Sequence, residues 1–313
     1  MPLNMHHDEL SRFICESLGL RVYTATTLKT VREITSLHGT TPNATVALGR
    51  AITASTLLGA MLKPESDQSL LLKIEGGGPV REIHVQVDAR GNIRGYAANP
   101  QPDITDDIGS INFSRAIGAG FLTIRKDTGI AEPYSSVIPL HDGEIAGDVA
   151  RYLAASEQIP SALIIALTLG YDGVVSSSGG ILIQTYPGTP ETAILKVENA
   201  IASMKRPLGD RLRGGEPVES IFCELFDDEP VSRLGSHSLR ASCRCDRGFI
   251  MEIISRIGIE ELKDMRERDR GAEVTCAFCA KHYLFSEDDL SGIIGEKELA
   301  HEGRDFTGKP ENH

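Results

Sequence analysis

Two close pairs of cysteines, Cys243-Arg244-Cys245 and Cys276-Ala277-Phe278-Cys279, hold four of the chain's six thiols and lie 30 residues apart. Four thiolates so spaced can close a tetrahedron around one zinc ion, with Zn–S near ~2.3 Å. Soft sulfur ligands favour zinc over magnesium or calcium. The spacings differ from those that ferredoxins use for iron–sulfur clusters. Each pair also sets two thiols close enough in sequence to be joined by a disulfide after modest backbone adjustment. The cluster therefore admits two uses, a structural staple or a redox switch.

Magnitudes separate those uses. A structural zinc contributes roughly 10–16 kcal/mol to the folding of a small domain. Disulfides closing loops of three or four residues return only about 2 kcal/mol each, and neither would bridge the gap between the pairs. If oxidant reaches the thiolates, which are the reactive form, the segment between the pairs should lose its zinc and unfold.

Other chemistry-bearing residues point elsewhere. His282 follows Cys279 by three residues and is set aside, because four thiolates already satisfy the ion. Cys15 and Cys223 fall on apolar helical patterns and read as buried thiols. Gly76-Gly77-Gly78 lacks the strand and helix context of a phosphate-binding loop, and neither GxSxG nor HExxH occurs. Ser176 to Gly180 reads as a turn before a strand, and Glu260-Glu261 as a solvated helix face. No catalytic residue emerges, so an enzyme is not expected.

The elements that must position the cysteines follow from periodicity. Thr41-Pro42 opens a helix that runs through Leu48 and Leu58 to Lys63-Pro64. Leu70 to Glu75 and Glu82 to Val87 read as strands, the second with clean apolar–polar alternation. A turn at Asp88 to Asn92 leads into the strand Ile93–Ala97, and Phe121 to Lys126 is a further strand. Glu144 to Ser156 is a helix, and apolar runs at Ala162–Leu169 and Gly180–Thr185 follow. Helices then start at Thr189-Pro190 and Pro217, with Arg211 to Gly215 as a flexible join. A helix through Phe249 and Ile257 stops at Gly258, and a shorter one carries Leu262 and Met265. The tail beyond Ser291 reads as polar and frayed. The fold class expected is α+β: a mixed α/β-sheet domain at residues 1–180, a helical linker at 181–235, a four-cysteine zinc module at 236–291 and a tail at 292–313.

The chain has 313 residues and a net charge of −12, with pI about 5.3. That balance disfavours a general nucleic-acid or anionic-membrane binder. Ser236 to Ser291 holds 9 Lys/Arg against 11 Asp/Glu, so no basic stripe accompanies the cysteines. The N-terminus, Met1 to Asp8, has no apolar signal region, and the longest strongly apolar run, Ala162 to Leu169, is too short to span a bilayer. Paired thiols without such a signal suggest a reducing cytoplasm.

Several stretches carry a resemblance that covers nearly the whole chain. They are Gly76-Gly77-Gly78-Pro79 with Asp88 and Gly91 to Tyr96; Gly118 to Leu122; Tyr152 with Ser156 to Pro160; Gly179 to Gln184 with Pro187; and the two cysteine pairs. Together they resemble the heat-shock protein 33 family of redox-regulated, zinc-dependent holdase chaperones. The chain departs from that family after the first pair, where Asp246-Arg247-Gly248-Phe249 replaces the usual serine and charged run, but the ligands are spared. The resemblance implies that Cys243, Cys245, Cys276 and Cys279 bind one zinc per chain in a reduced, inactive state. It further implies that oxidation forms the disulfides Cys243–Cys245 and Cys276–Cys279, releases zinc and unfolds the module and linker. The oxidised protein would then dimerise and hold unfolding client proteins without ATP. Two other classes compete. A zinc-ribbon nucleic-acid binder is disfavoured by the acidic charge. A thiol–disulfide oxidoreductase using the CxxC lacks a βαβ setting.

Overall fold

The computed structural model of the chain describes residues 7–104, 113–130, 132–141, 143–226 and 229–305. Residues 1–6, at the start of the N-terminal reading, and 306–313 of the expected tail lie outside them. The chain opens with β1 (Glu9–Cys15) and β2 (Leu20–Thr26), then α1 (Leu28–Leu37) and α2 (Pro42–Gly59). Next come β3 (Ser69–Gly76), β4 (Glu82–Asp88), β5 (Asn92–Ala97), α3 (Phe113–Ile117), β6 (Gly120–Asp127) and β7 (Tyr134–Pro139). Helix α4 (Ile145–Ser156) leads to the hairpin of β8 (Ser161–Leu169) and β9 (Val175–Thr185). Helices α5 (Glu191–Ala202), α6 (Leu208–Arg213) and α7 (Val218–Phe226) precede β10 (Ser232–Ser238) and β11 (Arg240–Ala241). The last stretch holds α8 (Arg247–Ile254), α9 (Ile259–Arg268), β12 (Gly271–Thr275), β13 (His282–Ser286) and α10 (Glu287–Asp305). Two compact units result, Met1–Cys243 and Arg244–His313.

The first unit is built on two sheets, ordered β10-β1-β2-β9-β8 and β11-β5-β4-β3-β6-β7. Helix α2 packs against strands of both. Its sequence explains this place: from Ala44 to Gly59 nearly every residue is small or apolar, and nearly every one is buried. A helix apolar all round needs partners all round. Pro42 stands in its first turn, after Thr41 in extended backbone.

The sheets differ in how their faces are covered. Strands β3, β4 and β5 alternate buried and half-buried residues, with Leu70, Leu72, Ile83, Val85 and Ile93 in the core around α2. The other face of that sheet is polar, with Lys73 paired to Glu75 at 2.7 Å and the His84 and Tyr96 rings stacked at 4.9 Å. The β10-β1-β2-β9-β8 sheet is covered on both faces. Tyr23, Ala25 and Leu182 join the α2 core, whereas Leu20, Val22, Ile181 and Ile183 meet α5, α6 and α7 through Val197, Leu208, Ile221 and Phe222.

The second unit has its own small core of Ile250, Ile254, Leu262, Phe285, Leu290, Ile293 and Ile294. Arg247 lies over the Phe285 ring at 4.5 Å and pairs with Asp289 at 2.8 Å. Lys297 Nζ donates to the carbonyls of Ser255 and Ile257, both at 2.6 Å. A cation thus meets the free carbonyls just past the C-terminus of α8.

Several expectations are corrected. Arg211 to Gly215 is not a flexible join: residues 208–213 form α6, and only the two glycines follow it. Ser176 to Gly180 lies inside β9, where Ser177 to Gly180 pair with β8 and Gly179 and Gly180 also with β2. Helix α8 ends at Ile254, while Gly258 is the N-cap of α9. The chain past Ser291 is helical to Asp305, because Leu290, Ile293 and Ile294 give α10 a buried stripe. Cys15 sits on strand β1 rather than a helix, fully buried, and Cys223 is exposed on α7 rather than buried.

Candidate metal centre

The first cysteine pair is positioned by backbone bonds that begin ahead of it. Strand β11 pairs parallel with β5, Arg240 beside Asn92 and Ala241 beside Ile93. The Arg240 N–H donates to the Gly91 carbonyl at 3.0 Å, and the Ser242 N–H to the Ile93 carbonyl at 2.8 Å. Gly91 is required there: its φ is +78°, and a Cβ would fall 2.4 Å from the Ser238 carbonyl oxygen. Beyond Cys245, Asp246 caps α8, its carboxylate accepting from the Phe249 N–H at 2.8 Å.

The second pair occupies the turn of the β12–β13 hairpin. Thr275 and His282 form the last ladder pair. The Cys276 N–H then donates to the Lys281 carbonyl at 2.9 Å, and the Ala280 N–H to the Cys276 carbonyl at 2.8 Å. Ala280, at φ +53°, takes the left-handed conformation that folds the knuckle back.

These two knuckles bring the sulfurs of Cys243, Cys245, Cys276 and Cys279 within 4.8 Å of one another. A tetrahedral zinc site has an S···S edge of about 3.8 Å, from its Zn–S bond length. The four sulfurs fit that size with small adjustments; the Cys245–Cys279 pair is closer, at 3.1 Å. Cys245 and Cys276 are buried, and Cys243 and Cys279 half-buried. Burial pushes the Cys276 thiol up from its ordinary value. A divalent cation would offset that penalty by holding the group as thiolate. The donor set and its spacing fit zinc.

Two neighbours of the cluster carry no sequence motif. Tyr283 Oη lies 3.2 Å from Cys245 Sγ and 3.0 Å from its carbonyl oxygen, and this bond with burial pushes the phenol up. Arg94 Nη1 lies 3.6 Å from Cys243 Sγ. Alternation along β13 hints at Tyr283, which shares a face with buried Phe285. His282 is exposed, its Nδ1 3.1 Å from Glu273 and 3.2 Å from Thr275, and it is not one of the clustered ligands.

The sequence profile of the family described as "Hsp33 protein" matches residues 8–286. The chain belongs to the Hsp33 family. A 33 kDa chaperonin from Citrifermentans bemidjiense is 40% identical over 290 residues, covering 92% of this chain and 97% of the relative. The 33 kDa chaperonin of Staphylococcus carnosus is 35% identical over 294 residues, covering 93% and 99%. The crystal structure of the Hsp33 homologue from Thermotoga maritima superposes with a TM-score of 0.84 at 29% identity, over 94% of this chain and 100% of that one. Membership of the Hsp33 family supports a chaperone function of that type, which implies the binding of unfolded client proteins. Among the described residues, no helix is long and apolar enough to cross a membrane.

Proposed function

We propose that this chain is a redox-regulated, ATP-independent holdase of the cytoplasm, inactive while its four cysteines hold zinc. The observation that carries the reading is the meeting of four sulfurs within 4.8 Å from two knuckles that lie 30 residues apart. Zinc, when bound, would supply the crosslink that ties those knuckles together and so secures α8 and α9, which lie between them, and the hairpin whose turn is the second knuckle. In the presence of peroxide, the thiols of Cys243 and Cys245 give up two electrons and two protons and join, as do those of Cys276 and Cys279. One peroxide per pair is reduced to two waters. Disulfide sulfurs no longer offer thiolates, so the ligand set is lost, and two short loops restore little of the lost stability.

The apolar surface for clients is proposed to lie under the helices of residues 181–235. Leu20, Val22, Ile181 and Ile183 face those helices. Their exposure would offer an apolar sheet face, edged on one side by the polar strand β10, to an unfolding chain. In this reading residues 1–180 with the remainder of β9 are the holding core, the rest of 181–235 the linker and 236–291 the switch, and the oxidised protein is a dimer.

The test measures zinc content and suppression of a heat-unfolding client's aggregation on one sample, before and after peroxide. One zinc per chain when reduced, lost on oxidation as suppression appears, is the expected result. Disulfide mapping should find Cys243 joined to Cys245 and Cys276 to Cys279. Zinc retained under oxidant without suppression would reduce the cluster to a structural staple.

A further inference from the structure

A zinc ion held by four thiolates leaves a dianion, and a half-buried dianion needs donors around it. The Cys243 sulfur has such a donor, provided by a strand far away in sequence. Arg94 stands on β5 directly opposite Gln86 on β4. Gln86 Oε1 accepts from Arg94 Nε at 2.9 Å and from Nη2 at 2.5 Å. That fork fixes the guanidinium plane and leaves Nη1 directed at Cys243 Sγ, 3.6 Å away, within the longer reach of an N–H···S bond. The backbone enforces the same meeting: the Ser242 N–H is bonded to the carbonyl of Ile93, the residue before Arg94.

The geometry points to Arg94, splinted by Gln86, as a positioning residue of the metal centre that retains zinc through Cys243. Arg94 is not itself a ligand. It orients the Cys243 sulfur and offsets its negative charge, and both effects slow the departure of that sulfur from the metal. Arginine suits the task better than lysine, because one edge of the planar fork can bind Gln86 while the remaining nitrogen serves sulfur. The inference rests on the zinc-site reading above.

The experiment uses full-length reduced protein and competes its zinc against a chromophoric chelator. Arg94→Met should weaken zinc retention about 10–100-fold, the usual effect of removing an outer-shell partner. Arg94→Lys should fall between. Arg125→Met, exposed on the same sheet three strands away, should match the parent chain. A second readout separates positioning from general loosening: iodoacetamide alkylation of the zinc-loaded protein, mapped by mass spectrometry, should rise more at Cys243 than at Cys276 or Cys279. Should Arg94→Met fail to fold, Gln86→Leu removes the splint while keeping the charge and should show the same bias towards Cys243. Unchanged zinc retention in a folded Arg94→Met protein, or an equal rise at all four cysteines, overturns the role. A parent chain that takes up no zinc would instead overturn the zinc-site reading, and the role of Arg94 with it.

Discussion

Phe222 is the most direct handle on whether the α5–α7 layer covers the holding surface. Its side chain is fully buried on α7, with its ring centroid 5.0 Å from Phe13 on β1 and 5.4 Å from Phe226. Truncation to alanine removes one of the two largest apolar groups that helix buries against the sheet. Buried Phe→Ala changes cost about 3–5 kcal/mol, and the two lost aromatic pairs belong to that sum at about 0.5–1.5 kcal/mol each. The α2 core is a separate cluster on the opposite face of the sheet, so the loss should fall on opening of the helical layer rather than on the whole unit. At a tenfold change per 1.4 kcal/mol, the open population rises roughly 10²–10⁴-fold. Hydrogen exchange of the reduced, zinc-loaded Phe222→Ala protein should show that loss of protection in α7, with β3 and β6 protected as before. Zinc content should stay at the parent level while suppression of client aggregation appears without oxidant. Equal loss of protection in β3 and α7 would refute the separation of the two clusters. A loosened α7 without any gain in suppression would refute the assignment of the holding surface.

Gly91→Ala forces a side chain into a left-handed turn and against the Ser238 carbonyl. It should cost about 1–3 kcal/mol and weaken zinc retention by displacing β11, as a thermal melt and a chelator competition would show. Asp246→Ala removes the cap of α8; about 1 kcal/mol lost should lower the melting of the second unit by roughly 4–8 °C, with Asp246→Asn retaining most of it. His237 is held below its ordinary pKa by burial and by Arg12, whose Nη1 lies 3.2 Å from Nδ1, with Asp88 and Glu9 opposing. The unfolded chain therefore binds the proton more readily, so His237 lowers stability as pH falls through and below about 6.5. Melts from pH 7.5 to 5.5 should show this slope, and His237→Gln should flatten it.

The parts of the fold legible in the sequence are those with one wet face or none. Strands β3, β4 and β5 alternate because one side meets α2 and the other meets water, and α2 shows itself by being apolar throughout. Strands β1 and β2 escaped because their sheet is covered on both faces, so Leu10, Ile14, Cys15 and Leu18 fall at helical spacing. Strand β10 is an edge strand exposed along nearly its whole length and carries no pattern at all. Helix α6 was hidden by the two glycines that end it. At the candidate metal centre the four clustered cysteines were legible because their spacing is local within each knuckle. Arg94 was not, since its meeting with Cys243 depends on the register of β4 with β5 and of β5 with β11.

Strand β1 is flanked in its sheet by β2 and by β10, and β10 follows it more than 200 residues later in the chain, ending at Ser238. The β10–β1 pairing is therefore among the last that the first unit can make. At about 5–20 residues per second, synthesis reaches that strand only after roughly 10–50 s. Until then the outer edge of β1 carries unpaired backbone groups, the same kind of surface that draws other chains into aggregates. The cysteines follow β10 directly in the chain. The newborn protein thus passes through an interval of its own vulnerability before it can acquire the zinc proposed to keep it silent.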